Sequence, residues 1–345
     1  MQKKLIFPFL IITLIVYVSL AQIKFFNYTT YFKTNYITSN PWKSIDSLKE
    51  IGQYQKAYEI TYALINKSYE TKNYINFLKA IIYCNDLCRY FDETPLSTQN
   101  QLLTKWEEKG PNWCKAILYS LKAEQLQGYL NNHYFTNTAW NDESDNPENW
   151  SENQLKNQIA YYYLNSLNKQ QNIDSVTLFQ IEDILETNRE MRKFKPGLYD
   201  LLAWRSLNYF MLNTNKTIIE DSTIKQTDSI VAVANNNYLQ LSLNLFNTLI
   251  KKHNYALEPK FYNQLELLKF IYQINLSEKK DSIYENGLQL LINQYAKNEI
   301  VVLAYNELAK LYIEQSEFKT NTNRLILPKT LQLLQKAIKQ FPKSD

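Results

Sequence analysis

The chain has 345 residues, 45% of them hydrophobic and 14% aromatic, with 27 tyrosines; this suffices for one or two domains with real cores and excludes a disordered chain. The net charge is only +4, from 38 basic and 34 acidic residues spread along the whole length. No basic stripe forms, which speaks against nucleic acid as a partner.

The amino terminus reads as an export signal. Lys3 and Lys4 precede an apolar run from Leu5 to Leu20, and Ser19 and Ala21 put small residues where a signal peptidase reads. Residues 1–21 are therefore predicted to be a signal peptide that directs the chain to the periplasm or cell envelope of a Gram-negative bacterium. No cysteine closes the run, so lipid anchoring is not indicated. An uncleaved anchor is the competing expectation, because the run approaches the length of a membrane span. The lack of a basic cluster after it favours cleavage, and the membrane would be touched only through this segment if it stayed on. Residues 22–40 read as a tether.

From Pro41 onward the pattern is helical. Glycine is scarce, limited to Gly52, Gly110, Gly128, Gly197 and Gly287, and most prolines fall between apolar-periodic segments. In the first pair of helices Trp42 belongs to a short opening helix, and Gly52, Tyr54 and Ala57 mark the turn and the start of the next. Further on, Leu198, Leu201, Leu202, Arg205, Tyr209 and Leu212 share one helical face. So do Phe261, Leu265, Leu268 and Tyr272, and so do Tyr284, Leu288, Leu291 and Tyr295. No run of strict alternation predicts a sheet. Residues 137–149 are polar and turn-rich, and residues 214–230 are predicted to loop out between two helical-repeat regions, 41–213 and 231–345. The last region ends in a tetratricopeptide-like hairpin: Tyr305, Leu308, Ala309, Tyr312 and Phe318, then Leu334, Ala337 and Pro342. Its turn is predicted to be lengthened by residues 319–328, with Ser316 where glycine is usual and Thr330 where alanine is usual. The predicted fold is all-α, an irregular α-solenoid of antiparallel helical hairpins.

Reactive chemistry has few footholds. His133 and His253 are the only histidines and form no zinc-binding pair, and each is expected at a surface or a helix end. Five glycines leave no room for a phosphate-cradling loop or a nucleophile elbow. Asp142, Glu143, Asp145 and Glu148 lack the alternation of a calcium loop and read as a solvated stretch. Cys84 and Cys88, four apart, read as small buried side chains, while a Cys88–Cys114 bridge is left open. The tyrosines, with Trp140 and Trp150, read as packing before carbohydrate stacking. Asn66 and Asn275 begin glycosylation sequons that matter only in a host that uses them. No catalytic, cofactor or metal residues are assigned.

Several segments come in order: Trp42-Lys43-Ser44-Ile45-Asp46-Ser47-Leu48 followed by Gly52 and by Ala57-Tyr58-Glu59-Ile60; Phe77-Leu78-Lys79-Ala80; Ile117-Leu118-Tyr119-Ser120 leading to Leu126 and Tyr129; and Trp150 before Tyr162 and Leu167. Together they resemble the N-terminal helical region of the large bacterial alpha-2-macroglobulin family. The most specific is Arg192-Lys193-Phe194-Lys195-Pro196-Gly197-Leu198-Tyr199-Asp200-Leu201-Leu202-Ala203-Trp204-Arg205, close to the family's Arg-Pro-Thr-Leu-Tyr-Asp-Phe-Leu-Ala-His-Arg. The hairpin from Tyr305 to Pro342 closes the series. Lys195, Gly197, Trp204 and Ser151 depart from the family's arginine, threonine, histidine and aspartate.

The resemblance implies kinship with an exported protease-trapping inhibitor. The family's β-sandwich domains, bait segment and Cys-x-Glu-Gln thioester have no counterpart here, since Cys84, Cys88 and Cys114 are followed by Asn-Asp, Arg-Tyr and Lys-Ala. The chain thus resembles only the amino-terminal module, as from a truncated or split reading frame. The expectation is a non-catalytic interaction module with a protein partner, in which Trp42, Pro196, Tyr199, Asp200 and Arg205 form a structural motif. The alternative is a free-standing periplasmic scaffold or a SusD-like glycan-binding helper; a helical glycosidase ranks third. Circular dichroism of the purified chain should be dominated by helix, and a sheet-dominated spectrum would contradict the fold.

Overall fold

The computed structural model describes residues 40–133, 144–185, 192–219, 237–318 and 323–342. The predicted signal 1–21, nearly all of the tether 22–40, the acidic positions Asp142 and Glu143, and most of the predicted loop 214–230 lie outside the described residues. Among the described residues every regular element is helical and no strand occurs, so the all-α prediction holds. The helices are α1 (Pro41–Glu50), α2 (Tyr54–Glu70), α3 (Tyr74–Leu87), α4 (Pro95–Glu107), α5 (Asn112–Asn132), α6 (Glu152–Ser166), α7 (Leu198–Leu212), α8 (Asn237–Lys252), α9 (Leu257–Ile274), α10 (Lys280–Gln294), α11 (Val302–Phe318) and α12 (Asn323–Gln340). None is long and apolar enough to cross a membrane. The chain divides into two compact units, one of residues up to Cys114 with Gly128–Glu152, the other of Lys115–Gln127 with Asn153 onward.

In the first unit, α1 starts where Asn40 accepts the N–H of Trp42 at 3.2 Å, with Pro41 in the first turn, where its missing N–H costs nothing. Its end is a Schellman turn. The Gly52 N–H donates to the Lys49 carbonyl (3.0 Å) and the Gln53 N–H to that of Leu48 (2.8 Å), with Gly52 at φ +74°. The end of α2 repeats it residue for residue. The Lys72 N–H donates to Tyr69 (3.0 Å) and the Asn73 N–H to Ser68 (2.9 Å), but here a lysine holds the left-handed position, at φ 56°. Two three-residue turns thus fold α1, α2 and α3 into successive antiparallel neighbours around Ile45, Ala57 and Leu87. Next, α4 joins α3 through the Gln99 side-chain amide on the Asn85 carbonyl (2.6 Å) and through Trp106, edge-on to Phe77 at 5.6 Å.

Cys84, Cys88 and Cys114 are free and buried, so the bridge left open between Cys88 and Cys114 is not formed. Burial pushes the Cys88 thiol up to about 11, with nearby Asp92 adding to it, and that of Cys114 to about 12. Cys84 is raised by burial and then by Cys88.

In the second unit α7 to α12 pack in chain order, each on the next. One core gathers Trp204, Leu207, Phe246, Leu249 and Phe270 from α7, α8 and α9. Another gathers Phe261, Leu288, Tyr305, Leu308 and Tyr312 from α9, α10 and α11, and Ala337 of α12 closes it. The predicted face positions are buried or half-buried except Leu212 of α7, which is 78% exposed, and α9 also buries an unpredicted set, Leu267, Phe270, Ile271 and Ile274.

Three details correct the sequence expectations. Residues 214–219 do not loop away: Thr217 pairs in parallel with Asn275, its N–H on the Ile274 carbonyl and its carbonyl on the Leu276 N–H, both at 2.8 Å. The Asn275 side chain then clamps the backbone N–H and C=O of Ile219, each at 2.9 Å, and Ile219 enters the core. Asn275 is 3% exposed, which removes it as a glycosylation acceptor in the folded chain. The turn predicted to extend through Pro328 ends sooner, because α12 begins at Asn323 and carries Pro328 inside it. That proline lies past the first turn, where it leaves one helical carbonyl without its usual donor. Finally, the described residues between α6 and α7, a stretch expected within a helical repeat, form single 3-10 turns and one antiparallel bridge, Thr177 to Gly197.

The matched turns make opposite predictions. No atom lies within 4 Å of a Cβ placed on Gly52, so Gly52→Ala should cost about 1 kcal/mol of purely conformational origin, while Lys72→Gly should stabilise by up to about 1 kcal/mol. Urea denaturation of the two variants checks both signs. The three thiols should resist a thiol reagent in the native chain and react only on unfolding.

Candidate functional site

An isolated antiparallel bridge between Thr177 and Gly197 leads into α7. The Leu178 N–H donates to the Pro196 carbonyl (3.3 Å) and the Leu198 N–H to that of Val176 (2.9 Å), which pins the entry into α7. Gly197 is the N-cap residue, and its N–H donates to Oδ2 of Asp200, three residues into the helix, at 2.9 Å. This is the backward-reaching half of a capping box, and it places a carboxylate at the positive end of the α7 dipole.

The other carboxylate oxygen of Asp200, Oδ1, lies 2.5 Å from Nε2 of His253. With the carboxylate ionised, Nε2 carries the proton and donates it. His253 directly follows α8, its N–H still bonded to the Leu249 carbonyl at 3.1 Å. The imidazole therefore sits at the negative end of the α8 dipole, where positive charge is favoured. The side chains of this pair are only 8% and 2% exposed for His253 and Asp200. Each helix end is complemented by the residue it favours, and the two complements meet.

Around this contact, cations rest on rings. Lys195 Nζ lies 4.1 Å from the centre of the Trp204 ring and 5.5 Å from that of Tyr262. Burial lowers its pKa, and Glu266 and Asp200 partly oppose that. Lys252 pairs with Asp174 and stands over Tyr199 at 4.9 Å. Trp204 donates its indole N–H to Asn263 at 3.2 Å, and Asn263 donates in turn to the Pro259 carbonyl at 2.7 Å. Arg205 turns the other way. Its Nε donates to Ser120 Oγ (2.7 Å) and its Nη2 to Glu124 Oε2 (2.6 Å), both on α5.

Of the motif residues, Pro196, Tyr199 and Asp200 stand at the start of α7, while Arg205, about two turns further on, binds other partners than Asp200 does. Trp42 belongs to the first unit, edge-on to Tyr83 at 5.1 Å with Lys79 Nζ 4.5 Å from its ring centre. His253 is at a helix end, as the sequence suggests, yet it is buried and not a surface residue. His133 caps the end of α5, stacked on Tyr129 at 4.7 Å. The sequence signal that could have singled out His253 is its place just after Lys251 and Lys252, the cationic end of an amphipathic helix.

Among the described residues no cluster of histidine, cysteine and carboxylate side chains is arranged to hold a metal ion. The two contacts from α7 differ in weight. The Arg205–Glu124 pair is 31% and 57% exposed, so water screens it. Compared with protein-family models, curated proteins and solved structures, the chain matches none.

Asp200→Ala should destabilise by about 3–5 kcal/mol, because it leaves a buried imidazole without its acceptor, whereas Glu124→Ala should cost under about 1 kcal/mol. A double-mutant cycle with His253→Ala, read by urea denaturation, should return a clear coupling energy between 200 and 253. Alkaline stability follows from the tyrosines. Burial pushes Tyr163, Tyr199, Tyr262 and Tyr272 from 10.0 up to about 12, and drives Tyr58, Tyr209 and Tyr284 higher. The folded chain therefore holds protons that the unfolded chain has released. Stability is complete below about pH 10 and is lost as pH rises through about 12. Absorbance titration should show these phenols ionising together with the loss of helix.

Proposed function

We propose that this chain is an exported, non-catalytic interaction module. In this reading antiparallel hairpins stack as an irregular tetratricopeptide-like α-solenoid, and the chain is kin to the N-terminal helical part of the bacterial alpha-2-macroglobulin family. The observation that carries the reading is the order of packing: helices lean on their neighbours in sequence, through turns of three to seven residues between α1 and α4 and between α8 and α11. Architectures of this kind act by presenting extended surfaces to other proteins.

The recognisable segment 192–205 supports the same reading. Its charged and aromatic side chains are engaged by other helices, with Asp200 on His253, Trp204 on Asn263 and Arg205 on Glu124. A residue group used in this way holds helices together and is not left to meet substrate. The partner would be a protein, and in the family's context a protease.

Expression of the complete chain from Met1 in a Gram-negative host tests the export step. The expected product is periplasmic and begins at Gln22; cytoplasmic retention with Met1 intact would refute it. The family relationship is tested in the genomic DNA that follows the gene, where macroglobulin domains, in frame or just past a frameshift, are expected.

A further inference from the structure

An open groove of about 510 Å³ lies in the second unit, between the turn joining α8 to α9 and the turn that leaves α10. Tyr255, Leu257 and Lys260 line one side, and Asn293, Gln294 and Lys297 the other. None of them belongs to the Asp200–His253 contact.

The groove is built but its chemistry is unused. Its far wall is held by the Asn298 N–H on the Tyr295 carbonyl (2.9 Å) and by Gln340 of α12, whose amide donates to the Ala296 carbonyl at 2.6 Å. By contrast Asn293, Gln294 and Lys297 have no side-chain hydrogen bond or ion pair among the described residues. Tyr255 is 100% exposed, so its ring contributes nothing to the core, and beside it Leu257 is 37% exposed. A lone exposed apolar side chain is ordinary; two at the mouth of a groove that also displays idle amides are a surface.

The lining chemistry says what fits. A carboxamide offers donors and an acceptor together, the complement of a peptide unit's own C=O and N–H. Two lysines line the groove and no carboxylate does, and Lys260 is held at 2.7 Å by the neutral Asn254 side chain, which leaves its charge uncompensated. Tyr255 and Leu257 supply an apolar seat with a polar tip.

We propose that this groove binds an extended acidic peptide segment of a protein partner. Its main chain meets Asn293 and Gln294, its carboxylates meet Lys297 and Lys260, and an apolar side chain lies against Tyr255 and Leu257. The inference rests on the interaction-module reading and adds to it a place and a partner chemistry.

Selection of a random dodecapeptide phage library on the full chain, followed by anisotropy with the enriched peptides, tests it. The expected peptides carry Asp or Glu beside an apolar residue. Lys297→Glu should weaken their binding at least tenfold and Tyr255→Ala at least threefold, while Lys56→Glu in the first unit leaves it unchanged. All three positions are exposed, so the fold survives, and a melting curve verifies that. Enriched peptides indifferent to the groove variants would overturn the groove and leave the interaction reading standing. Failure to enrich any peptide would overturn both. Maltoheptaose binding abolished by Tyr255→Ala would overturn the peptide as occupant.

Discussion

A buried carboxylate facing a buried imidazole governs the second unit. Asp200 cannot leave its place without stranding His253, and neither side chain can reach water to recover what it would lose. Because one partner begins α7 and the other ends α8, their contact sets where two helices start and stop relative to each other. In that register Trp204 and Leu207 share a core with Phe246 and Leu249.

The remaining polar contacts of the segment are graded by exposure. Trp204 and Asn263 satisfy each other inside the core, so either alone would leave an unpaired buried group. Arg205 and Glu124 sit at the rim and contribute orientation more than energy. Lys195 lies between: its stem is covered, and two aromatic rings take the place of some of its lost water.

Much of the helical architecture was legible in the sequence, because its signals are local. The spacing of Leu198, Leu202 and Tyr209 marks a buried face, and the Gly52 turn follows from a glycine beside two periodic segments. What escaped depends on contacts remote in sequence or on residues acting against type. Asn275 reads as a glycosylation acceptor, yet it clamps a strand-like segment 56 residues away. Lys72 closes a helix in a conformation that glycine favours, and no propensity would place a lysine there. Pro328 reads as a helix boundary and is not one. The pairing of Asp200 with His253 spans 53 residues and cannot be inferred without knowing that α7 and α8 are neighbours. The groove at Tyr255 has no sequence pattern at all, since two separate turns compose it.

The succession of helices that lean on the preceding one has a kinetic side. Most of the loops closed between α8 and α11 are short, so little chain entropy must be surrendered before the first favourable contacts form. Structure can therefore grow by accretion along the polypeptide, each new helix condensing on a template already in place. The exception is α5, whose Ser120 and Glu124 wait for Arg205 more than 80 residues later. A growing chain would therefore leave these two contacts of α5 unmade until α7 has been added.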